Sequence, residues 1–381
     1  MEGDHIKIWH WLKPLSWLYG LVVGLRNILF DSGVLPSESF DVPVISVGNI
    51  TAGGTGKTPH TEYLIRLLSK QHQVAVLSRG YKRKSKGYIL ATPDTPVQDI
   101  GDEPYQMKHK YPQIHMAVDA NRRRGIKNLC RPGVEPAVDV VLLDDAFQHR
   151  YVVPGVNILL MDYHRLVYYD ELLPAGRLRE PKSSCQRADV VIVTKCPTDL
   201  VVMEKNGINH SLSLQPWQRL FFSSFKYGSL QKVSLFTEEI PLEEVTNDRY
   251  NVILLTGIAS PQQMEFDLKQ HFQFTSVHFS DHHEFQHKDI ELLERTIHQV
   301  TTPDKRTIVI TTEKDAARLL PMGKVYNEFT LFSVRFPLYI LPIEVDFLDN
   351  GAEAFDQFIL GYVQKNSRNS TLLTRTSKEK S

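Results

Sequence analysis

Short apolar runs alternate with amphipathic stretches along most of the chain. Runs of about four to eight aliphatic and β-branched residues are typical of buried strands, and the stretches between them have helical spacing. This alternation predicts an α/β protein with a mostly parallel sheet in its first half and a second α/β domain in its second half. The runs are 44–48, 74–78, 114–118, 138–143, 157–162, 189–194, 250–256, 274–279 and 306–312.

The first run ends in a glycine-rich turn, Thr51-Ala52-Gly53-Gly54-Thr55-Gly56-Lys57-Thr58, which Pro59 and a helical pattern follow. The glycines allow backbone N–H groups to turn inward at a helix N-terminus, where unpaired donors and the helix dipole favour an anion. Lys57 would reach the β- and γ-phosphates, and Thr58 is placed to bind Mg²⁺. The turn predicts a nucleotide phosphate loop, although Thr51 stands where the usual pattern has its first glycine.

A second nucleotide signal is the apolar run 138–143, which ends in Asp144 and Asp145. In enzymes with a phosphate loop, a carboxylate at such a strand end holds Mg²⁺ directly or through water. Together with the upstream loop, the pair predicts the Mg²⁺ strand of an ATP site. Either aspartate could contact the metal.

Three charged motifs lie outside these two signals. Ser280-Asp281-His282-His283-Glu284 follows a strand, and it could bind zinc or supply one histidine as acid, base or orienter. The second role is favoured because no further ligand group lies at a suitable spacing. Gly101-Asp102-Glu103-Pro104 and Thr312-Glu313-Lys314-Asp315 begin predicted helices, where acidic residues often act only as caps.

The N-terminal segment 8–30 is dense in apolar and aromatic residues, including three tryptophans. Lys13-Pro14 and Arg26 interrupt it, so no run reaches the roughly 18 to 20 apolar residues needed to span a bilayer. Tryptophans beside basic residues predict a helix that lies in the membrane interface. A helix packed on its own domain is the alternative.

Composition narrows the remaining possibilities. The chain has 381 residues, enough for two α/β domains. Lys plus Arg equals Asp plus Glu at 44 each, so charge gives no argument for nucleic acid. Three widely spaced cysteines fit neither a disulfide framework nor a paired metal site, which favours a reducing compartment. No obligate protein partner is indicated.

We expect four segments along the chain. The turn and polarity signals place an interfacial helix region at 1–35, a phosphate-loop domain at 36–160 with a return over about 345–362, a second domain at 161–344, and a disordered polar tail at 363–381.

The motifs occur in the order seen in the tetraacyldisaccharide 4'-kinase, or lipid A 4'-kinase, family. The chain resembles this family over roughly residues 10 to 360. Ala146 and Arg177 depart from the usual residues of their motifs. The resemblance rests on the segments 43–59, 78–81, 101–104, 143–149, 173–181, 279–283 and 312–315.

The resemblance implies transfer of the ATP γ-phosphate to the 4'-hydroxyl of a lipid A disaccharide 1-phosphate, giving lipid IV-A. It places the enzyme peripherally at the cytoplasmic face of a bacterial inner membrane. It also implies two α/β/α domains joined by a two-stranded linker. By position, Asp102 matches the catalytic base and His282 its dyad partner, with His283 as the alternative. Glu103 would assist with metal or water, and Lys57 and Thr58 belong to the phosphate loop.

Two other classes of protein share part of the pattern. ATPases or GTPases of the partitioning or metal-insertion type also carry a GGxGKT sequence, but many of them have a signature lysine where this chain has Ala52. They also lack a tryptophan-rich N-terminal helix. A nucleotide-dependent membrane scaffold is the non-enzymatic alternative, and a phosphorylated lipid acceptor would distinguish the kinase from both.

Overall fold

A computed structural model of the protein describes residues 7–233, 239–258, 261–281, 283–325 and 338–366. Within them the chain divides into two compact units. The first contains the described residues of 1–95, 107–225 and 345–381, and the second contains those of 96–106 and 226–344. The mixed α/β fold predicted from the alternation of runs is confirmed.

The first unit is built on a nine-stranded sheet in the order β15-β8-β7-β6-β1-β5-β2-β4-β3. The strand pairs from β8 through β4 are parallel, and β3 joins β4 antiparallel. The strands are β1 (Val44–Gly48), β2 (Val74–Ser78), β3 (Ile89–Leu90), β4 (His115–Val118), β5 (Val140–Asp144), β6 (Val156–Asp162), β7 (Val190–Thr194), β8 (Arg219–Tyr227) and β15 (Ile343–Phe347).

Every residue of β1, β2, β5 and β7 is buried. Parallel strands covered on both faces have no solvent side, which explains why these segments are continuous apolar runs without alternation. The helices of the first unit are α1 (Lys13–Asp31), α2 (Lys57–Leu68), α5 (Arg122–Leu129), α6 (Val202–Leu212) and α10 (Gly351–Asn366). Helix α4 (Asp102–Lys110) begins in the second unit and ends in the first.

The second unit contains a six-stranded sheet in the order β10-β9-β14-β13-β11-β12. Its strands β12, β11, β13 and β14 are parallel, and β9 and β10 are antiparallel additions at the edge. The elements are α3 (Val97–Ile100), β9 (Leu230–Lys232), β10 (Glu239–Ile240), β11 (Tyr250–Thr256), α7 (Gln262–Leu268), β12 (Thr275–His278), α8 (His287–Val300), β13 (Arg306–Thr312), α9 (Glu313–Val325) and β14 (Leu338–Leu341).

The domain boundary expected after residue 160 is wrong. Strand β7 pairs in parallel with β6, and β8 pairs with β7, so residues up to 225 extend the first sheet. Residues 96–106, expected in the first domain, cluster with the second unit. Hydrophobic runs predict strands, but the sheet that a strand joins depends on hydrogen bonds between distant segments. The two neighbouring strands β8 and β15 carry the chain out of the first unit and back.

Residues 363–366, expected in the disordered tail, belong instead to α10, which ends at Asn366. The remainder of that expected tail, residues 367–381, lies outside the described residues.

Helix α1 has one face bound to the first unit and one apolar face exposed. The Ser16 hydroxyl donates to the Leu172 carbonyl and accepts from the Ala175 amide, each at 2.9 Å. On the other side, the side chains of Trp17 and Leu21 are 73% and 70% exposed. No helix in the described ranges is long and apolar enough to cross a membrane.

Candidate active site

The phosphate loop lies between β1 and α2. Gly53 and Gly56 have φ values of +128° and +81°, a region that favours glycine and requires it for an unstrained turn here. The Asn49 side-chain amide donates to the Thr55 hydroxyl at 2.8 Å. This bond links the start of the loop to its end, while Gly53 and Gly54 remain exposed. The loop is therefore closed on itself and open toward solvent at its glycines.

A separate segment, residues 177–179, holds the first half of the loop. The Ala52 amide donates to the Arg177 carbonyl at 2.8 Å, and the Arg179 amide donates to the Ile50 carbonyl at 2.7 Å. The same segment contacts α1, since the Tyr19 hydroxyl donates to the Arg179 carbonyl at 2.8 Å. The turn-rich connection noted in the sequence thus serves as a support for the phosphate loop.

His60 connects the loop to the sheet. Its Nδ1 lies 2.8 Å from the Gly56 carbonyl oxygen and its Nε2 lies 3.0 Å from the Ser223 hydroxyl on β8. Burial lowers the pKa of His60 to about 4, so the ring is neutral at neutral pH. A neutral ring can donate through one nitrogen and accept through the other, which matches its two partners.

Asp145 lies beside the loop lysine. Its carboxylate is 3.6 Å from the Lys57 ammonium and 3.6 Å from the Arg179 guanidinium. Burial raises the pKa of Asp145, but these two cations outweigh burial and hold the pKa below its usual value. The aspartate is therefore ionised at neutral pH. Its φ of +48° is uncommon for a residue other than glycine and occurs at the strand end expected to hold metal.

Asp144 is fixed from two sides. The Ser78 hydroxyl at the end of β2 donates to Asp144 Oδ2 at 3.0 Å, and Arg122 donates to the Asp144 carbonyl oxygen at 3.2 Å. Burial lowers the pKa of Arg122 to about 10, which still leaves it charged at neutral pH. The structure thus places Asp144 and Asp145 at the carboxyl end of β5, with Asp145 beside Lys57.

Gly48 permits this arrangement. A Cβ built at Gly48 would lie 2.7 Å from both the backbone nitrogen and the Cβ of Phe147. The segment after Asp145 therefore passes directly against the end of β1, and only glycine leaves room for it.

In the second unit, two cations of α9 contact the acidic pair at the start of α4. Arg318 Nη2 lies 2.8 Å from Asp102 Oδ2, and Lys314 Nζ lies 3.3 Å from Glu103 Oε1. Lys314 also lies 3.2 Å from Asp281 Oδ1. Three motifs that are far apart in the sequence therefore meet here, those around residues 102, 281 and 314.

The histidine expected as the dyad partner, His282, lies outside the described residues. Its neighbour His283 contacts Asp289 Oδ2 through Nε2 at 2.8 Å and stacks on Phe279 with ring centroids 4.7 Å apart. In the described part of the chain, no group of three or more His, Cys, Asp or Glu residues could hold a metal ion. The zinc alternative for this cluster therefore receives no support from the described residues.

Sequence reasoning missed the residues that hold these carboxylates. Ser78 and Arg122 look like ordinary strand-end and helix residues, and Arg318 lies three positions beyond the motif that ends at Asp315. Arg318 could have been predicted as a neighbour of Asp315, because residues three apart lie on one helix face and Asp315 belongs to a motif identified in the sequence. No sequence pattern points to Ser78 or Arg122 individually.

In the first unit, strand β1 of a mostly parallel sheet leads into a glycine-rich loop, and a strand-end carboxylate lies beside the loop lysine. This arrangement defines a nucleotide-dependent protein of the phosphate-loop class. The family model described as tetraacyldisaccharide-1-P 4'-kinase (LpxK) matches residues 8–364. The chain belongs to that family.

Individual relatives agree with the family match. The chain is 52% identical over 374 residues to the tetraacyldisaccharide 4'-kinase of Phocaeicola vulgatus, covering 97% of this chain and 99% of the relative. It is 50% identical over 390 residues to that of Bacteroides thetaiotaomicron, with full coverage of both. The crystal structure of LpxK from Aquifex aeolicus in complex with ATP has a TM-score of 0.68 and 28% identity, covering 92% of this chain and 98% of that chain. The family resemblance and the enzyme class, a kinase, are thus confirmed.

Proposed function

We propose that the protein transfers the γ-phosphate of ATP to the 4'-hydroxyl of a lipid A disaccharide 1-phosphate. The observation that carries the proposal is the ion pair of Lys57 with Asp145 beside a glycine-rich loop, in a chain that belongs to the kinase family. A solved relative from Aquifex aeolicus is a complex with ATP, which supports ATP as the donor. Residues 51–58 would hold its phosphates through backbone N–H groups, with Lys57 adding charge.

Mg²⁺ is the cation that we infer for the nucleotide. The Thr58 hydroxyl and the carboxylates of Asp144 and Asp145 offer oxygen ligands, which Mg²⁺ prefers. Asp145 Oδ1 is buried and makes no hydrogen bond, which supports a cation as a further partner. When bound, the ion would neutralise charge on the β- and γ-phosphates during transfer.

Asp102 is the general base in this proposal. As the 4'-oxygen forms its bond to the γ-phosphorus and the bond to the leaving ADP oxygen breaks, Asp102 accepts the hydroxyl proton. Glu103, next in the chain, assists with metal or water. His282 is assigned as the dyad partner of Asp102 on family resemblance, with His283 as the alternative. The contact of His283 with Asp289 already engages its Nε2, which favours His282.

The first experiment follows label from γ-labelled ATP into the lipid in mixed micelles with Mg²⁺. We expect label at the 4' position in the native protein, loss of labelling in Lys57→Ala, and near-native labelling in the control Lys70→Ala, an exposed lysine just after α2. Asp102→Asn should retain ATP binding and lose about 10² to 10⁴ in transfer rate. ATP hydrolysis without labelled lipid would instead favour the partitioning or metal-insertion class of ATPases.

We further infer that the protein binds the cytoplasmic face of the inner membrane through α1. The exposed apolar side chains of α1 and the turn before it support this, because a soluble surface rarely presents so many together. Lys7 lies over the ring of Trp9 at 4.3 Å, an arrangement suited to anionic headgroups. The exposed side chains are Trp9, Trp11, Leu15, Trp17, Leu18, Leu21, Val22, Leu25 and Ile28.

Vesicle flotation tests this surface. The double substitution Trp17→Gln and Leu21→Gln should reduce binding to vesicles of phosphatidylethanolamine and phosphatidylglycerol by about tenfold or more, since each side chain loses roughly 1.5 to 3 kcal/mol of apolar burial. Phe266→Gln is the matched control, because Phe266 is 63% exposed on the second unit. Equal flotation of both variants and the native protein would contradict a membrane role for α1.

A further inference from the structure

We propose that Arg318 is a positioning residue that orients and keeps ionised the carboxylate of Asp102. The inference rests on the proposed function, in which Asp102 accepts the proton of the lipid hydroxyl. It adds a residue that lies in none of the recognised motifs and that would act on the acceptor only through Asp102.

The contact between the two side chains is close and partly shielded from water. Arg318 donates to Asp102 Oδ2 through Nε at 2.9 Å, and Nη2 lies 2.8 Å from the same oxygen. The side chain of Arg318 is 7% exposed and that of Asp102 is 21% exposed. An ion pair with this burial is less screened than one at the surface, so its effect on the carboxylate should be measurable.

Arg318 is itself held in place from the opposite side. Its Nη1 donates to the Gly257 carbonyl at 3.1 Å and to Asp315 Oδ1 at 3.2 Å. Asp315 is fully buried and accepts from the Gly257 amide at 2.9 Å and the Thr312 hydroxyl at 2.7 Å. The guanidinium therefore cannot turn away from Asp102 without giving up its bonds to Gly257, just after β11, and to Asp315 in the first turn of its own helix α9.

This geometry has two chemical consequences. A fixed positive charge favours the ionised carboxylate, which is the form that can accept a proton at neutral pH. Both contacts of Arg318 fall on Oδ2, so the pair fixes the plane of the carboxylate without itself engaging Oδ1. A base held in a single orientation reacts faster because less freedom is lost on reaching the transition state.

Lys314 contacts Glu103 in a similar way, yet its geometry is weaker. Its distances to Glu103 and Asp281 are 3.3 and 3.2 Å, and its side chain is 23% exposed. A lysine also lacks the planar fork of arginine and so fixes orientation less well. Among the described charged groups in this region, Arg318 contacts the Asp102 carboxylate directly, whereas Lys314 contacts Glu103 and Asp315 contacts Arg318.

The test measures kcat and KM for ATP against pH in Arg318→Gln and Arg318→Lys. In Arg318→Gln we expect kcat to fall about tenfold or more and KM for ATP to change less than about twofold. The acidic limb of the kcat–pH profile should shift to higher pH by about one unit. Arg318→Lys keeps the charge and loses the fork, so the limb should stay near its native position while kcat is only partly restored. Arg295→Gln, an exposed arginine on α8, is the matched control and should behave as the native protein.

Several outcomes would overturn the inference. A fall in kcat with an unmoved acidic limb and a matching loss of thermal stability would assign Arg318 to structure alone. A rise in kcat would make the pair an inhibitory contact. If Arg318→Gln does not fold, the Arg318→Lys profile decides: an unchanged kcat overturns the orienting role.

The variant Asp102→Asn separates this inference from the proposed function. If Asp102→Asn turns over normally, the assignment of Asp102 as base fails and the inference fails with it. If Asp102→Asn is inactive while Arg318→Gln has a native profile, only the inference fails. The inference is supported if the double variant Asp102→Asn/Arg318→Gln has the same kcat as Asp102→Asn alone, because Arg318 would act only through Asp102.

Discussion

The buried ring of His60 should make the stability of the first unit depend on pH. The pKa of His60 is lowered by burial to about 4, against about 6.5 in an unfolded chain. Below pH 6.5 the unfolded chain binds a proton that the folded chain does not, so stability is retained above this pH and decreases as the pH falls toward 4. A difference of roughly 2.5 pKa units corresponds to ~3 kcal/mol in full, of which ~2 kcal/mol is lost by pH 5.

His60→Gln isolates this contribution. A glutamine amide can still bond to the Gly56 carbonyl or the Ser223 hydroxyl, but it does not titrate. We expect the native protein to lose ~2 kcal/mol more than the variant between pH 7.5 and pH 5, in addition to any change common to both. The phosphate loop should also be less stable at pH 5, because Gly56, which bonds to His60, belongs to that loop.

Urea unfolding followed by tryptophan fluorescence provides the measurement. All four tryptophans, at positions 9, 11, 17 and 217, belong to the first unit, so the signal reports the unit that contains His60. His287→Gln is the control, because its side chain is 62% exposed in the second unit. Parallel pH dependence of unfolding in the native protein and His60→Gln would refute the reasoning.

Two further substitutions, with one control substitution in α1, test the packing of the phosphate site. Gly48→Ala should destabilise the protein by ~1 to 3 kcal/mol in thermal unfolding, because its Cβ would overlap the Phe147 backbone, whereas Gly24→Ala, with nothing within 4 Å, should stabilise by ~0.5 to 1 kcal/mol. Ser78→Ala should cost ~1 kcal/mol and raise the Mg²⁺ concentration needed for half-maximal activity, because Asp144 loses its 3.0 Å hydrogen bond. Equal stabilities of the two glycine variants, or an unchanged Mg²⁺ requirement in Ser78→Ala, would contradict these expectations.

The segment 171–179 links two features that the sequence suggested separately. Ser16 and Tyr19 of α1 bond to its backbone, and Arg177 and Arg179 bond to the phosphate loop. The helix proposed to bind membrane is therefore joined to the nucleotide site through one short segment. No sequence pattern indicates this connection, because the contacts use mostly backbone carbonyls and amides, which nearly all residues have.

The sequence by itself determined the features that depend on local chemistry. Glycines 53 and 56 occur where the backbone has positive φ, most of the apolar runs in the first half of the chain became buried parallel strands, and Asp144 ends β5 with Asp145 directly after it. Each of these follows from neighbouring residues, through backbone sterics, burial on both faces of a sheet, or the need for a helix N-terminus beside an anion.

Only the tertiary structure decided which distant segments meet. Three contacts of this kind join residues separated by tens to hundreds of positions. They are the pairing that places β7 and β8 in the first sheet, the Ser78 bond to Asp144, and the Arg318 contact with Asp102. The residues next to a serine or an arginine in the sequence do not indicate which distant side chain it will contact. Hydrogen bonds and ion pairs depend on distance in space, and that distance is set by how the whole sheet is ordered.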